Sequence, residues 1–113
     1  MNLLITGGLG YIGAHLTVEL LKKKRVKIFI LDDLSNSKIS KKKIIEKLSG
    51  KKITFIKNDL SDYKKLSNIL KKKKIDAVFH LAGSKAVGES ILKPYKYYLN
   101  NSFRTMQLLK AMH

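Results

Sequence analysis

Glycines stand at positions 7, 8, 10 and 13 in the stretch Thr6-Gly7-Gly8-Leu9-Gly10-Tyr11-Ile12-Gly13. Two overlapping patterns lie in it, Gly8-x-Gly10-x-x-Gly13 and Gly7-x-x-Gly10-x-x-Gly13. The chemistry this spacing supports is phosphate binding. One glycine turns the chain sharply out of a strand, one lets backbone approach a pyrophosphate, and one lets a helix pack close to a sheet. The start of that helix then offers unpaired N–H groups and the positive end of its dipole to an anion. Glycines alone are weak evidence; a strand before them and a helix after them give the pattern its meaning. A second group completes the chemistry. Asp32 follows Gly13 by 19 positions, at the end of a β-branched run. A carboxylate there accepts hydrogen bonds from ribose hydroxyls and repels a 2′-phosphate, which favours NAD over NADP. Taken alone, Asp32 reads as well as a turn or cap residue; with the glycine turn it reads as half of a dinucleotide site. Asp33 beside it reads as solvent-facing.

The elements that must position these groups alternate along the chain. Short apolar or β-branched runs at residues 2–6, 26–31, 53–56 and 76–81 read as buried strands. Helical spacing appears over residues 11–24, 41–48 (closed by Ser49-Gly50), 62–73 and from Tyr95 to the end, with Pro94 near that start. Residues 32–40 read as a polar loop, and a second loop is expected around Gly83 and Gly88. The alternation predicts an α/β fold: a Rossmann-type, doubly wound parallel sheet. It is incomplete, with the first four strands and their intervening helices. Right-handed crossovers place the strands in the order 3-2-1-4, with the switch point at the C-terminal ends of strands one and four. No second domain is expected; residues 1–113 read as the N-terminal part of an NAD-binding domain.

Composition bounds the function. The net charge of +16 invites a nucleic-acid reading. The basic residues are dispersed, however: Lys22, Lys23, Lys24 and Arg25 close one helical segment, Lys41, Lys42 and Lys43 open another, and Lys71 to Lys74 end a third. That argues for solvated faces and helix ends over one recognition helix, and for nonspecific attraction to polyanions at low salt. No specific nucleic acid is expected as a partner. The chain has no cysteine and three histidines, so no metal site is expected. No run approaches the ~18 apolar residues of a membrane span, and the N-terminus does not read as a secretory signal. A cytoplasmic location is the expectation.

Further residues carry a resemblance. The N-terminal Thr-Gly-x-x-Gly-x-x-Gly is typical of the extended short-chain dehydrogenase/reductase superfamily. His80-Leu81-Ala82-Gly83, then Lys85-Ala86-Val87-Gly88-Glu89-Ser90, then Lys93-Pro94-Tyr95-Lys96-Tyr97-Tyr98-Leu99-Asn100-Asn101 resemble the UDP-glucose 4-epimerase family over the whole chain. The loop Leu31-Asp32-Asp33-Leu34-Ser35-Asn36-Ser37 agrees. The resemblance implies a set of cofactor contacts. Gly7, Gly10, Tyr11, Ile12 and Gly13 would lie at the pyrophosphate of NAD. Asp32, Asp33, Leu34, Ser35, Asn36 and Ser37 would surround the adenosine ribose. Asp59 and Leu60 would flank the adenine. Leu81, Ala82, Gly83, Ser84 and Lys85 would line the central part, with Lys85 donating to cofactor oxygens and Asn100 reaching the same region. Each has a plainer alternative: Asp59 as a helix cap, Lys85 as a surface lysine, Asn100 as a polar face residue. Tyr95, Tyr97 and Tyr98 read as packing, His15 as structural and His80 as a strand-end residue.

In the resembled enzymes a tyrosine, with a lysine four positions on to lower its pKa, removes the proton of the sugar 4-hydroxyl while hydride passes from C4 to NAD. A 4-keto sugar turns over, and hydride returns to its other face. None of the five tyrosines here has a lysine four residues on. No catalytic residue is therefore expected in the chain, and it is expected to be inactive alone. The implied activity is interconversion of UDP-glucose and UDP-galactose in galactose metabolism, with a UDP-sugar partner and a homodimer in the complete enzyme. The alternatives are a stand-alone NAD-binding remnant and a related NAD-dependent nucleotide-sugar dehydratase or uronate epimerase. Two departures stand out. Arg104 occupies a position where the family commonly has glycine, and Leu99 one that is commonly acidic. A fourth strand with nothing beyond it is expected to leave an apolar edge exposed.

Overall fold

The structure, a computed structural model, describes residues 1–113. Strands β1 (Asn2–Thr6), β2 (Lys27–Asp32), β3 (Thr54–Lys57) and β4 (Ala77–His80) form one parallel sheet in the order β3-β2-β1-β4. This is the expected order. Between the strands run helices α1 (Tyr11–Leu21), α2 (Ser40–Ser49) and α3 (Tyr63–Lys72). After β4 come α4 (Val87–Leu92), α5 (Pro94–Tyr98), a π-turn (Leu99–Phe103) and α6 (Arg104–Met112). The chain divides into two compact units, Met1–Asp59 with Lys74–Leu81, and Leu60–Lys73 with Ala82–His113.

In the first unit β1 and β2 carry almost unbroken apolar sequence because both of their faces are buried, as parallel sheets require. On one face Leu3, Ile5, Ile28 and Ile30 cluster with Leu9, Leu21, Ile45 and Ile53. Leu4, Phe29 and Leu31 alternate to the other face and are buried too. Register pairs Ile5 with Ile30 and with Phe79, so the central strand is held on both sides. Helix α1 buries Gly13, Thr17 and Leu21, a strict i, i+4, i+8 stripe. Ile12 lies off this stripe and is exposed. The expected extension of α1 to Lys24 is also corrected. The Lys22 and Lys23 amides donate to carbonyls three residues back, at 3.2 and 3.0 Å, which tightens the last turn. Arg25 then takes a left-handed φ of 63° and its carbonyl accepts from the Met1 amine at 2.8 Å.

Glu46 joins α2 to the start of β3. It accepts from the Ile53 amide at 3.0 Å and from the Lys42 ammonium at 3.1 Å. Those donors, the Ile53 amide first, hold its carboxyl below the usual carboxylate range. Gly50 ends α2 in the left-handed region, φ 68°, where a side chain would be strained. β4 pairs only with β1, which leaves its other edge open as expected, and Ala77 and Phe79, which share one face of the strand, are exposed.

In the second unit α3 packs along α6, with Leu66, Leu108 and Ala111 buried. The Lys110 ammonium sits 4.0 Å from the centre of the Tyr63 ring. Asp62 caps α3, accepting from the Lys64 and Lys65 amides at 2.9 and 3.2 Å. The plainer reading of Asp59 as that cap is thereby removed. Two expectations fail beyond β4. The loop expected around Gly88 is helix α4, and the single helix expected from Tyr95 is α5, a π-turn and α6. Tyr97 reaches back to join α4 to α5, bonding the Ala86 carbonyl at 2.7 Å and the Glu89 carboxylate at 3.0 Å. Tyr95 and Tyr98 are exposed, so neither packs as expected.

Candidate functional site

The glycine turn leaves β1 with Gly7 at φ 67°, a conformation that disfavours any side chain. The Gly7 amide donates to the Leu31 carbonyl and its own carbonyl accepts from Gly10, both at 2.9 Å. Gly13 has a different reason to be glycine. A Cβ there would lie 2.4 Å from the Gly7 oxygen and 2.7 Å from the Gly8 Cα, so α1 could not approach the turn this closely. A Cβ on Gly8 would meet Ile30 at 2.8 Å. No side chain caps α1 and no acid lies in its first turn. The amides of Tyr11, Ile12 and Gly13 at the helix start are thus available to an anion. The side chains of Tyr11 and Ile12 are exposed beside them.

Asp32 ends β2 and is buried, with 8% of its surface exposed. Its Oδ2 accepts from the Leu9 amide in the glycine turn at 3.3 Å. Its Oδ1 accepts from the Leu34 amide at 2.9 Å and from the Ser37 hydroxyl at 2.8 Å. One carboxylate therefore ties the glycine turn to the loop after β2. The turn-residue reading describes Asp32 here, since the Leu34 bond is an Asx turn. That bond also supports Leu34 in a left-handed φ of 62°, with its side chain packed against the core. Asp33, read as solvent-facing, is half-buried and accepts from the Ser35 amide at 2.9 Å. Ser35 and Asn36 are exposed. Asp59, half-buried, follows β3, and Asn58 before it donates its amide to the Asp32 carbonyl at 3.3 Å.

Leu81 follows β4, its amide reaching the Thr6 carbonyl at 3.1 Å and the Thr6 hydroxyl at 3.2 Å. The Thr6 hydroxyl also lies 2.7 Å from His80 Nδ1. A neutral imidazole fits this contact in either tautomer, Nδ1 accepting from the hydroxyl or donating to it. Burial pushes the His80 pKa below its ordinary value, in agreement.

The second unit holds the other expected residues. Leu60 is buried, and Lys85 is exposed. Ser84 is the point on which this region converges. Asn100 donates to the Ser84 hydroxyl at 2.8 Å, while Asn101 accepts from the Ser84 amide at 2.7 Å and donates to the Ser84 carbonyl at 2.8 Å. Asn101 was not singled out from sequence. Its neighbour looked like the family contact, and only the π-turn reveals that both face one serine.

A glycine turn opening an uncapped helix, with an acid ending the next parallel strand, is the framework of a Rossmann-type dinucleotide-binding chain. The comparisons give the family. The chain belongs to the GDP-mannose 4,6 dehydratase family, which it matches over residues 4–113. Its relatives include the UDP-glucose 4-epimerase of Klebsiella pneumoniae, 47% identical over 99% of this chain and 80% of that protein. The UDP-glucose 4-epimerase of Bacillus subtilis is 45% identical over 99% of this chain, which spans 33% of it. Among solved structures, the UDP-glucose 4-epimerase of Stenotrophomonas maltophila with bound NAD and formylated UDP-arabinopyranose superposes with a TM-score of 0.95 at 38% identity, over 99% of this chain and 33% of that one. That of Bifidobacterium longum, in complex with NAD+ and UDP, gives 0.93 at 38% identity over the same shares.

Proposed function

We propose that the chain binds NAD as part of a UDP-glucose 4-epimerase, the enzyme that interconverts UDP-glucose and UDP-galactose in galactose metabolism. The observation that carries this is the Asp32 carboxylate bonded to the Leu9 amide beside the open first turn of α1. That bond supports the reading because it would hold a ribose acceptor and a phosphate-binding helix start on one frame. The residues present fit the group: no side chain caps α1 and no acid lies in its first turn, so the amides of Tyr11, Ile12 and Gly13 would hold the pyrophosphate. Asp32, with Ser35, Asn36 and Ser37, would take the ribose, Asp59 and Leu60 the adenine. Leu81, Ala82, Gly83, Ser84, Lys85 and Asn100 keep the roles the resemblance gives them. When bound, NAD supplies reversible hydride acceptance; this chain's residues bind and orient it. They hold no Tyr-x-x-x-Lys, so the 113 residues by themselves transfer no sugar proton. A dehydratase or uronate epimerase sharing the same NAD-binding part is the second reading, favoured by the family match itself.

No helix is long and apolar enough to cross a membrane. A cytoplasmic location, a UDP-sugar partner and a homodimer for the complete enzyme belong to the same proposal. It is tested by competition between NAD and NADP for the chain, with UDP-galactose formation from UDP-glucose followed in parallel. The expected result is preference for NAD with no product formed. Equal binding of NADP would remove the role given to Asp32, and product from these residues alone would overturn the assignment of proton transfer elsewhere.

A further inference from the structure

We infer that Asn101 is a positioning residue, which clamps the backbone of Ser84 and thereby fixes how the next residue, Lys85, presents its ammonium to NAD. The inference rests on the NAD-binding reading above and deepens it. Residues 81–86 belong to no helix or strand, so their backbone groups need partners from side chains or water. The Asn101 carboxamide meets both Ser84 groups at once, its Oδ1 2.7 Å from the amide and its Nδ2 2.8 Å from the carbonyl. A carboxamide offers a donor and an acceptor on two atoms of one planar group; aspartate only accepts and leucine does neither. Asn100 holds the same residue through its hydroxyl at 2.8 Å.

Two consecutive residues can serve one serine because of the π-turn at Leu99–Phe103, in which the Arg104 amide bonds the Leu99 carbonyl five residues back. The displaced carbonyl of Asn101 accepts from the Thr105 hydroxyl at 2.9 Å, so the irregular turn is held from within. Gly83 belongs to the same device. A Cβ there would come within 3.0 Å of Asn101 Oδ1, so a larger residue would push the clamp away. The exposed Lys85, on a flexible stem, gains direction only from the fixed backbone before it.

The test titrates NAD+ into the 113-residue chain and its Asn101→Ala, Asn101→Asp, Lys85→Met and Lys85→Met/Asn101→Ala variants, and follows hydrogen exchange of the Ser84 amide. Expected are about tenfold weaker NAD+ binding and roughly tenfold faster Ser84 exchange in Asn101→Ala. Asn101→Asp, which keeps the acceptor and loses the donor, falls between. In Lys85→Met the added Asn101→Ala change costs little more, because Asn101 acts through Lys85. Unchanged NAD+ affinity in Asn101→Ala, or losses that multiply in the double variant, would overturn the inference while the NAD reading stands. A wild-type chain that ignores NAD+ would overturn the reading and with it the purpose given to Asn101.

Discussion

At the residue scale, glycine is required at position 13 by contact and at position 7 by backbone conformation, and the two predict different outcomes. Gly13→Ala places a methyl 2.4 Å from the Gly7 oxygen. Backbone cannot yield as a side chain can, so a loss of about 1–3 kcal/mol is expected in denaturant unfolding, together with weakened NAD binding as α1 moves off the turn. His80 gives a pH dependence. Burial holds its folded pKa below the ordinary 6.5. Above 6.5 both folded and unfolded chains are neutral there and the contribution is complete. As pH falls from 6.5 toward the lowered folded value, the unfolded chain takes up a proton that the folded chain refuses, and stability declines. Thermal midpoints measured between pH 5 and 7 should fall with acid, and His80→Gln should flatten that slope; an unchanged slope would remove His80 as its source. Much of this scale was legible in the sequence, because Gly7, Gly13 and Asp32 are each dictated by local chemistry. Asn101 was not, since its value depends on a π-turn that has no sequence signature.

At the element scale, the four strands and their order could be read from apolar runs because β1 and β2 are buried on both faces and leave no ambiguity of face. Helix ends were harder. α1 stops at Leu21 instead of Lys24 because the chain must turn left-handed at Arg25 to re-enter the sheet. The sequence of α4 reads as a loop because Gly88 is a weak helix former, yet nothing lies within 4 Å of where its Cβ would stand, so that glycine is neither a turn nor a close approach. Its neighbour Glu89 anchors the helix instead. The Lys96 ammonium at 2.7 Å, then the Tyr97 hydroxyl, hold its carboxyl below the usual range. Asp62 offers the cleaner test of an element. Asp62→Ala removes the acceptor for two first-turn amides of α3, and a loss of about 1 kcal/mol in unfolding free energy is expected. Asp59→Ala, which removes no cap, should leave helix content unchanged by circular dichroism and weaken NAD binding.

At the scale of the whole molecule, the net charge of +16 dominates encounter with any polyanion and is screened by salt. The polarity of the first unit adds a local pattern to it. Arg25, Lys27, Lys51 and Lys52 lie near the strand starts, together with Asp76, whereas Asp32, Asp33 and Asp59 lie at or just after the strand ends, together with Lys57. In the proposed NAD complex, backbone amides and the helix start at the turn would serve the phosphates, with carboxylates left to serve ribose and adenine. The central claim is that Asp32 and the glycine turn act together as a dinucleotide site. Calorimetric titration of NAD+ into the wild-type chain and Asp32→Asn, at salt high enough to suppress nonspecific anion binding, tests it most directly. Saturable one-to-one binding that weakens about tenfold or more in a folded Asp32→Asn chain is the predicted result; binding of equal strength in both, or none in the wild type, would contradict it.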